Sequence, residues 1–389
     1  MPPSLPTSPP PGVSSDRRNQ IVFGLLCVIV IAGVMAFALC SRNQRRQREA
    51  AAAPTIPEAG QQLAGVCQHP YLMFRNTALG PSYGRLSIAP LSAPDGARYP
   101  TLLDCERVYS TGGAGLCLQA IRNAFPTFKA VSFDRQFRVM HTFDLNGGPS
   151  RVRISRDGHW GAVTVFLAGH GYTSINFSTQ TTLYDLQSLK LIGDLEQFTV
   201  IKDSQPFKAT DFNFWGVTFA PEGDGFYATL ASGGVNYLVE GRVSSREVRV
   251  LRQGVECPSL SPDGRRLVFK SRIHQRGQVH WQLHVLDLGT QQETTINESR
   301  SVDDQAEWLD KDHVLYGLPR NVAGSGTWDI WVARADGTDT PVVFVHDALT
   351  HAWSDHERQT MSGQFKLSSR ELCIRKRVLW DWIALKSVL

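Results

Sequence analysis

A chain of 389 residues, 42% of them apolar, is long enough to bury the core of one large domain. Its net charge of +4 is local: Arg42, Arg45, Arg46 and Arg48 lie in one segment, and Arg375, Lys376 and Arg377 in another. The body between them is close to balanced, which excludes the basic footprint of a nucleic-acid-binding protein.

In chain order, residues 1–20 open with MPPSLPTSPPPGVSS. Pro and Ser at that density bury no apolar surface, so a disordered tail is expected. Residues 21–40, IVFGLLCVIVIAGVMAFALC, hold no charged side chain. As a helix this segment is long enough to cross the roughly 30 Å hydrocarbon core, which predicts a transmembrane signal anchor. A cleaved signal peptide ending at Ala36-Phe37-Ala38 is the competing reading. Residues 41–65 form a basic, Ala-rich linker. Arg17 and Arg18 precede the span and four Arg follow it, so the positive-inside rule places the large domain in the cytoplasm. The cysteines argue for the other side.

From residue 66 to 350 one pattern recurs. The stretch CPSLSPDGRRLVFKSR (257–272) is a strand, a tight turn and a second strand. Pro262 presets φ at the first corner, Asp263 bonds its own backbone, and Gly264 supplies a positive φ. Relatives of this turn are Ser155-Arg156-Asp157-Gly158, Ala220-Pro221-Glu222-Gly223, Leu309-Asp310-Lys311-Asp312 and Ser110-Thr111-Gly112-Gly113, at steps of 41 to 65 residues. A second hairpin follows each, so the unit is a four-stranded antiparallel sheet. A period in the forties is the mark of a β-propeller blade. The class is therefore all-β: a six-bladed β-propeller preceded by a single N-terminal transmembrane helix. The longest step leaves room for a loop at residues 196–211. The first strand, YLMFRNT (71–77), has none before it, so the innermost strand of blade one is expected from beyond residue 345, which also removes an open sheet edge.

Residues entering the innermost strands should rim one mouth of the channel. They are Asp104, Glu106, Arg151, Asp211, Asn213, Trp215, Glu256, Asp303, Asp304 and Glu307. Carboxylates dominate, so the rim should focus a negative field on a cationic ligand, with Trp215 as a stacking face. Asp and Glu also cap turns entering strands, which is the structural alternative.

Cys105 and Cys117 flank a turn centred near residues 111–112. Opposed residues of an antiparallel hairpin share a constant sum of numbers, which sets these two face to face and predicts a disulfide. Buried free thiols are the alternative. A disulfide implies an oxidising compartment and a propeller outside the cytoplasm. The sequence holds no HExxH. His280 and His284 share a strand face and read as outward polar residues. Residues 351–389 form a divergent basic tail, with a candidate amphipathic helix at 368–385.

Strands headed by SPDG and followed by LVF, with LMFRNTALG (72–80), DFNFWGVTFA (211–220), VECPSLSPDG (255–264) and SVDDQAEWLD (301–310), resemble the TolB-like propellers of bacterial envelopes. The resemblance covers residues 70–345; the chain beyond departs from the pattern. It implies recognition: in that family the ring binds partner proteins and the channel accepts a peptide terminus. The expected function is thus a membrane-tethered, non-catalytic protein- or peptide-binding module of the cell envelope, without nucleic acid or cofactor. The alternative is a metal-dependent, lactonase-like hydrolase whose mouth carboxylates hold Ca²⁺.

Overall fold

The computed structural model describes residues 19–37, 62–111, 113–123, 125–167, 178–275, 277–320 and 326–353. The chain divides into two compact units, with the break between Thr55 and Ile56. In the first, a helix spans Asn19–Phe37, long and apolar enough to cross a membrane. It begins two residues before the expected span; the last three expected positions lie outside the described residues. Its apolar side chains, Phe23 and Phe37 among them, are exposed, as suits either a membrane span or a signal sequence.

The second unit is a ring of six sheets. Blade one takes β1 (Tyr71–Asn76), β2 (Arg85–Pro90) and β3 (Tyr99–Asp104). Blade two is β4 (Arg107–Thr111), β5 (Ala114–Ile121), β6 (Thr127–Phe133) and β7 (Val139–Leu145). Blade three is β8 (Gly147–Ile154), β9 (Trp160–Leu167), β10 (Thr179–Asp185) and β11 (Lys190–Asp194). Blade four holds β12 (Thr199–Lys202), β13 (Gln205–Phe207), β14 (Asn213–Phe219), β15 (Gly225–Ser232), β16 (Val235–Arg242) and β17 (Glu247–Gln253). Blade five is β18 (Glu256–Leu260), β19 (Arg266–Gln275), β20 (Gln278–Asp287) and β21 (Glu293–Thr295). Blade six is β22 (Glu307–Trp308), β23 (His313–Pro319), β24 (Trp328–Arg334) and β25 (Val342–Val345). The last strand among the described residues, β26 (Ala348–Trp353), pairs antiparallel with β1 and becomes the inner strand of blade one. The ring is closed by a strand from beyond residue 345, as expected, and the propeller runs past residue 350.

The recurrent turn has one chemistry. Gly158, Gly223 and Gly264 all have φ between 72° and 85°, which side chains resist and glycine accepts. Each donates its N–H to the carbonyl three residues back, at 2.8–2.9 Å. In two copies a serine locks the far side: Ser155 Oγ accepts the N–H of Trp160 at 2.8 Å, and Ser261 Oγ that of Arg266 at 2.9 Å.

Blades cohere through their faces. Six buried apolar clusters occupy the six seams between neighbouring sheets, which is why the strands are apolar at consecutive positions. In the closing seam, Leu72 and Phe74 of blade one meet Leu315, Ile330 and Ala348. Burying one such Leu or Phe contributes about 1.5–3 kcal/mol.

Residues 196–211 are not a simple loop. A 3₁₀ turn over Leu195–Gln197 leads into β12, which pairs parallel with β17, and β13 extends blade four to six strands. Leu195, Phe198 and Val200 are buried there against Phe226 and Val248. The alternation of Phe198 and Val200 is a strand period, and the hairpin covers an edge that would otherwise stand open.

Cys105 and Cys117 are joined by a disulfide, with their Cα atoms 5.4 Å apart. They are not directly opposed as the sequence argument requires. Thr111 pairs with Ala114, which sets Val108 opposite Cys117. Cys105 precedes β4, and the N–H of Glu106 donates to Leu118 O at 2.7 Å. That bond folds the chain over β5 and brings the sulfurs together. Residues 368–385 lie outside the described residues.

Candidate functional site

The inner strands β26, β4, β8, β14, β18 and β22 surround the axis. The expected acidic rim is absent as such, because its members go to different places. Asp104 ends the outermost strand of blade one and is exposed there. Asp211 latches a hairpin: Ser232 Oγ and the N–H of Gly233 each donate to its carboxylate at 2.7 Å. Those bonds hold it below the usual carboxylate range. Asn213 Oδ1 accepts the N–H of Thr179 at 2.9 Å, tying blade three to blade four. Trp215 is buried, so it offers no stacking face. It sits at a bulge in β14, where Gly216 at φ 65° lies against the backbone of Cys257.

The remaining carboxylates all meet cations. Glu106 pairs with Arg75 at 3.2 Å and Arg122 at 2.6 Å. Glu256 accepts from Arg272 Nε at 2.6 Å and Asn236 Nδ2 at 2.7 Å. Asp303 pairs with the buried Lys270. Burial alone would raise the Asp303 pKa; Lys270, then Arg151 and Arg107, bring it below the ordinary value. Asp304 accepts the N–H of Gly317 at 2.9 Å and lies 3.9 Å from Arg107. Glu307 pairs with Arg153 at 3.3 Å, both side chains being less than a tenth exposed. The negative field expected from these carboxylates is therefore cancelled locally. Arg75, Arg107, Arg153, Lys270 and Arg272 escaped the sequence reading because most come from neighbouring strands. The Arg-x-Arg alternation of Arg151 and Arg153, which sets both on one strand face, was the signal available.

The axis is also bridged. β22 is only two residues long, and the chain before it leaves the sheet to fill the centre. Glu307 of blade six reaches Arg153 of blade three, directly across the ring, and accepts from Tyr109 OH of blade two at 3.4 Å. Gln305 Nε2 donates to Val217 O of blade four at 3.2 Å and Pro258 O of blade five at 2.9 Å. The motif SVDDQAEW (301–308) is thus an axial plug, with Val302, Asp304, Gln305, Ala306 and Glu307 all buried.

Beyond the plug, on the side of the recurrent turns, lies a narrow hollow. Five blades wall it, through Tyr109, Thr111, Arg153, Arg156, Thr218, Phe219, Pro221, Ser261, Pro262 and Glu307 among others. Two of its buried polar atoms, Thr111 Oγ1 and Arg153 Nε, have no hydrogen-bond partner among the described residues.

As for metal, no group of three or more His, Cys, Asp or Glu side chains among the described residues is placed to hold an ion. Ca²⁺ at Asp303 or Glu307 would have to displace Lys270 or Arg153 from the same oxygens.

No protein-family model and no curated protein sequence matches the chain. Among solved structures it is similar to TolB from Acinetobacter baumannii, at 16% identity and a TM-score of 0.49. The likeness is one of fold. It covers 73% of this chain and 66% of that TolB, just under two thirds of its length. The chain is also similar to a chain of the nidogen/laminin complex, at 9% identity and a TM-score of 0.47, covering 73% of this chain and 98% of that one. A candidate 6-phosphogluconolactonase from Bacteroides fragilis is similar at 12% identity and a TM-score of 0.42, covering 78% of this chain and all of the other. At such identity and such TM-scores none of these proteins lends its role to the chain.

Proposed function

We propose that the chain is a membrane-tethered propeller of the bacterial envelope that recognises a protein or peptide segment at the turn-side mouth of its axis, outside the cytoplasm. The observation that carries this reading is the hollow beyond the plug, where Thr111 Oγ1 and Arg153 Nε are buried without a partner among the described residues. Buried donors left unmatched cost roughly 1–3 kcal/mol each, and a small shift of the wall would open them to an acceptor that returns this. A main-chain carbonyl of an extended segment is such an acceptor. The hollow is narrow and walled in part by Pro221, Phe219 and Pro262, which suits one inserted side chain or chain end. Because the plug carboxylates are neutralised, the ligand need not be cationic. The Cys105–Cys117 bond supports the oxidising side of the membrane.

The full-length chain in detergent, panned against a random-peptide display library, should enrich peptides that bind it. Arg156→Trp, which fills the mouth from its rim, should remove at least nine-tenths of their binding. Enrichment of peptides insensitive to that change, or no enrichment, would overturn the assignment.

A further inference from the structure

A second group of chemically matched side chains lies away from the axis, on blade five. Ser271 of β19, His284 of β20 and Glu293 of β21 stand on three adjacent strands. Ser271 Oγ is 2.9 Å from His284 Nε2. His284 Nδ1 is 3.0 Å from Glu293 Oε1. The register explains the alignment: Phe269 is opposite His284, so Ser271 is a diagonal neighbour on one side. Leu286 is opposite Glu293, which makes Glu293 the diagonal neighbour on the other. Nothing in the local sequence announces this line. It needs three strands in one register, and the expectation that His284 points outward as a plain polar residue is incorrect: it is buried.

We propose that Ser271 is an activated nucleophile, with His284 as its general base and Glu293 as the positioning residue, able to take an acyl group from an ester. Three features set up the chemistry. Glu293 accepts from Nδ1, which leaves the Nε2 lone pair free for the serine hydroxyl. Arg252 holds the other Glu293 oxygen at 2.7 Å, so the carboxylate stays in place. Phe269 stacks on the imidazole at 5.5 Å between ring centres, and Thr295 Oγ1 lies 3.3 Å from Nδ1, which fix the ring plane. Burial holds His284 below the usual histidine range, outweighing the pull of Glu293, and keeps it a neutral base at pH 7. Ser271 is itself only half-buried, within reach of a reagent.

In the step, Ser271 Oγ bonds to the ester carbonyl carbon while its proton passes to His284 Nε2. The carbon–oxygen bond to the leaving alcohol then breaks, and the alkoxide takes that proton from Nε2. The products are an acyl-serine and an alcohol. Water then attacks the acyl carbon as its proton passes to Nε2; the bond from that carbon to Ser271 Oγ breaks, and Oγ takes the proton back from Nε2, which returns serine and the free acid. The arrangement is recognised by geometry and roles, not by a local sequence motif around the serine.

The test is covalent labelling of the full-length chain in detergent with a fluorophosphonate and, in parallel, p-nitrophenyl acetate. Mass spectrometry should place the adduct on Ser271. His284→Gln should slow its formation at least 100-fold while the thermal transition stays within a few degrees. Glu293→Gln should keep the site of labelling but move its pH profile, as a positioning residue must. Ser271→Cys supplies a reading independent of the serine: beside His284 its thiol should react with iodoacetamide well below the ordinary thiol range. Absence of a Ser271 adduct, equal labelling in the folded His284→Gln variant, or an ordinary titration of the Ser271→Cys thiol would each overturn the proposal.

Discussion

At the residue scale, the plug turns on pairs of opposite charge whose partners lie on different blades. Lys270 is buried and Asp303 about one-third exposed. Removing one member of a buried pair commonly costs about 3–5 kcal/mol, since the other charge is left without compensation. Asp303 keeps some access to water, so Asp303→Asn should cost about 2–3 kcal/mol, read from the urea midpoint. Lys270→Met combined with Asp303→Asn should cost less than Asp303→Asn alone. Had the rim been an exposed binding surface, neither change would alter the midpoint. Glu196 gives a pH signature. Its carboxylate accepts the N–H groups of Thr181 and Phe214 at 3.2 Å, joining blades three and four. Burial pushes it up from 4.5 to about 7. A carboxyl raised in the folded state binds its proton more tightly there. Its contribution is full below the ordinary value and is lost as pH rises from 4.5 towards 7. Glu196→Gln should therefore match the unmodified protein at pH 4 and exceed it by about 2–3 kcal/mol at pH 8 in paired melts.

At the element scale, closure is the decisive feature. β26 supplies the inner strand of blade one and buries Ala348 and Leu349. A chain ending at residue 353 should keep its cooperative unfolding. One ending at residue 347 leaves blade one with a free inner edge and should melt at least 10 °C lower, by circular dichroism. The four strands of the regular blades, the recurrent turns and the missing inner strand were legible, because period and turn chemistry are local properties. The β12–β13 hairpin was not, since its strands are only four and three residues long and carry little pattern. The position of Cys105 was half legible: the pair could be chosen from spacing, but its register depends on a turn that forms one residue later than spacing implies.

At the scale of the whole molecule, the described residues hold one helix apolar enough to cross a membrane and one propeller. Two observations bear on which side of the membrane the ring occupies. The Arg residues after the span favour the cytoplasm, and the Cys105–Cys117 bond favours the outside. On intact cells, an impermeant thiol reagent should label Cys105 and Cys117 only after an impermeant reductant is added. Labelling that requires lysis would place the ring inside. Closing the 12-residue separation between these cysteines should add about 2–3 kcal/mol through loop entropy, so the reduced protein should also melt lower.

The sequence by itself determined the apolar span, the blade count and the turn at each blade, because each is written in contiguous residues through periodicity and backbone preference. The tertiary structure alone decided the site. Whether Glu307 rims an open mouth or bridges the axis depends on Arg153, three blades and about 150 residues away in the chain. The line from Ser271 through His284 to Glu293 likewise exists only once three strands share a register. Charge cancellation and proton relays are properties of distance, and distance between side chains on separate strands is set by packing, which a linear pattern does not carry.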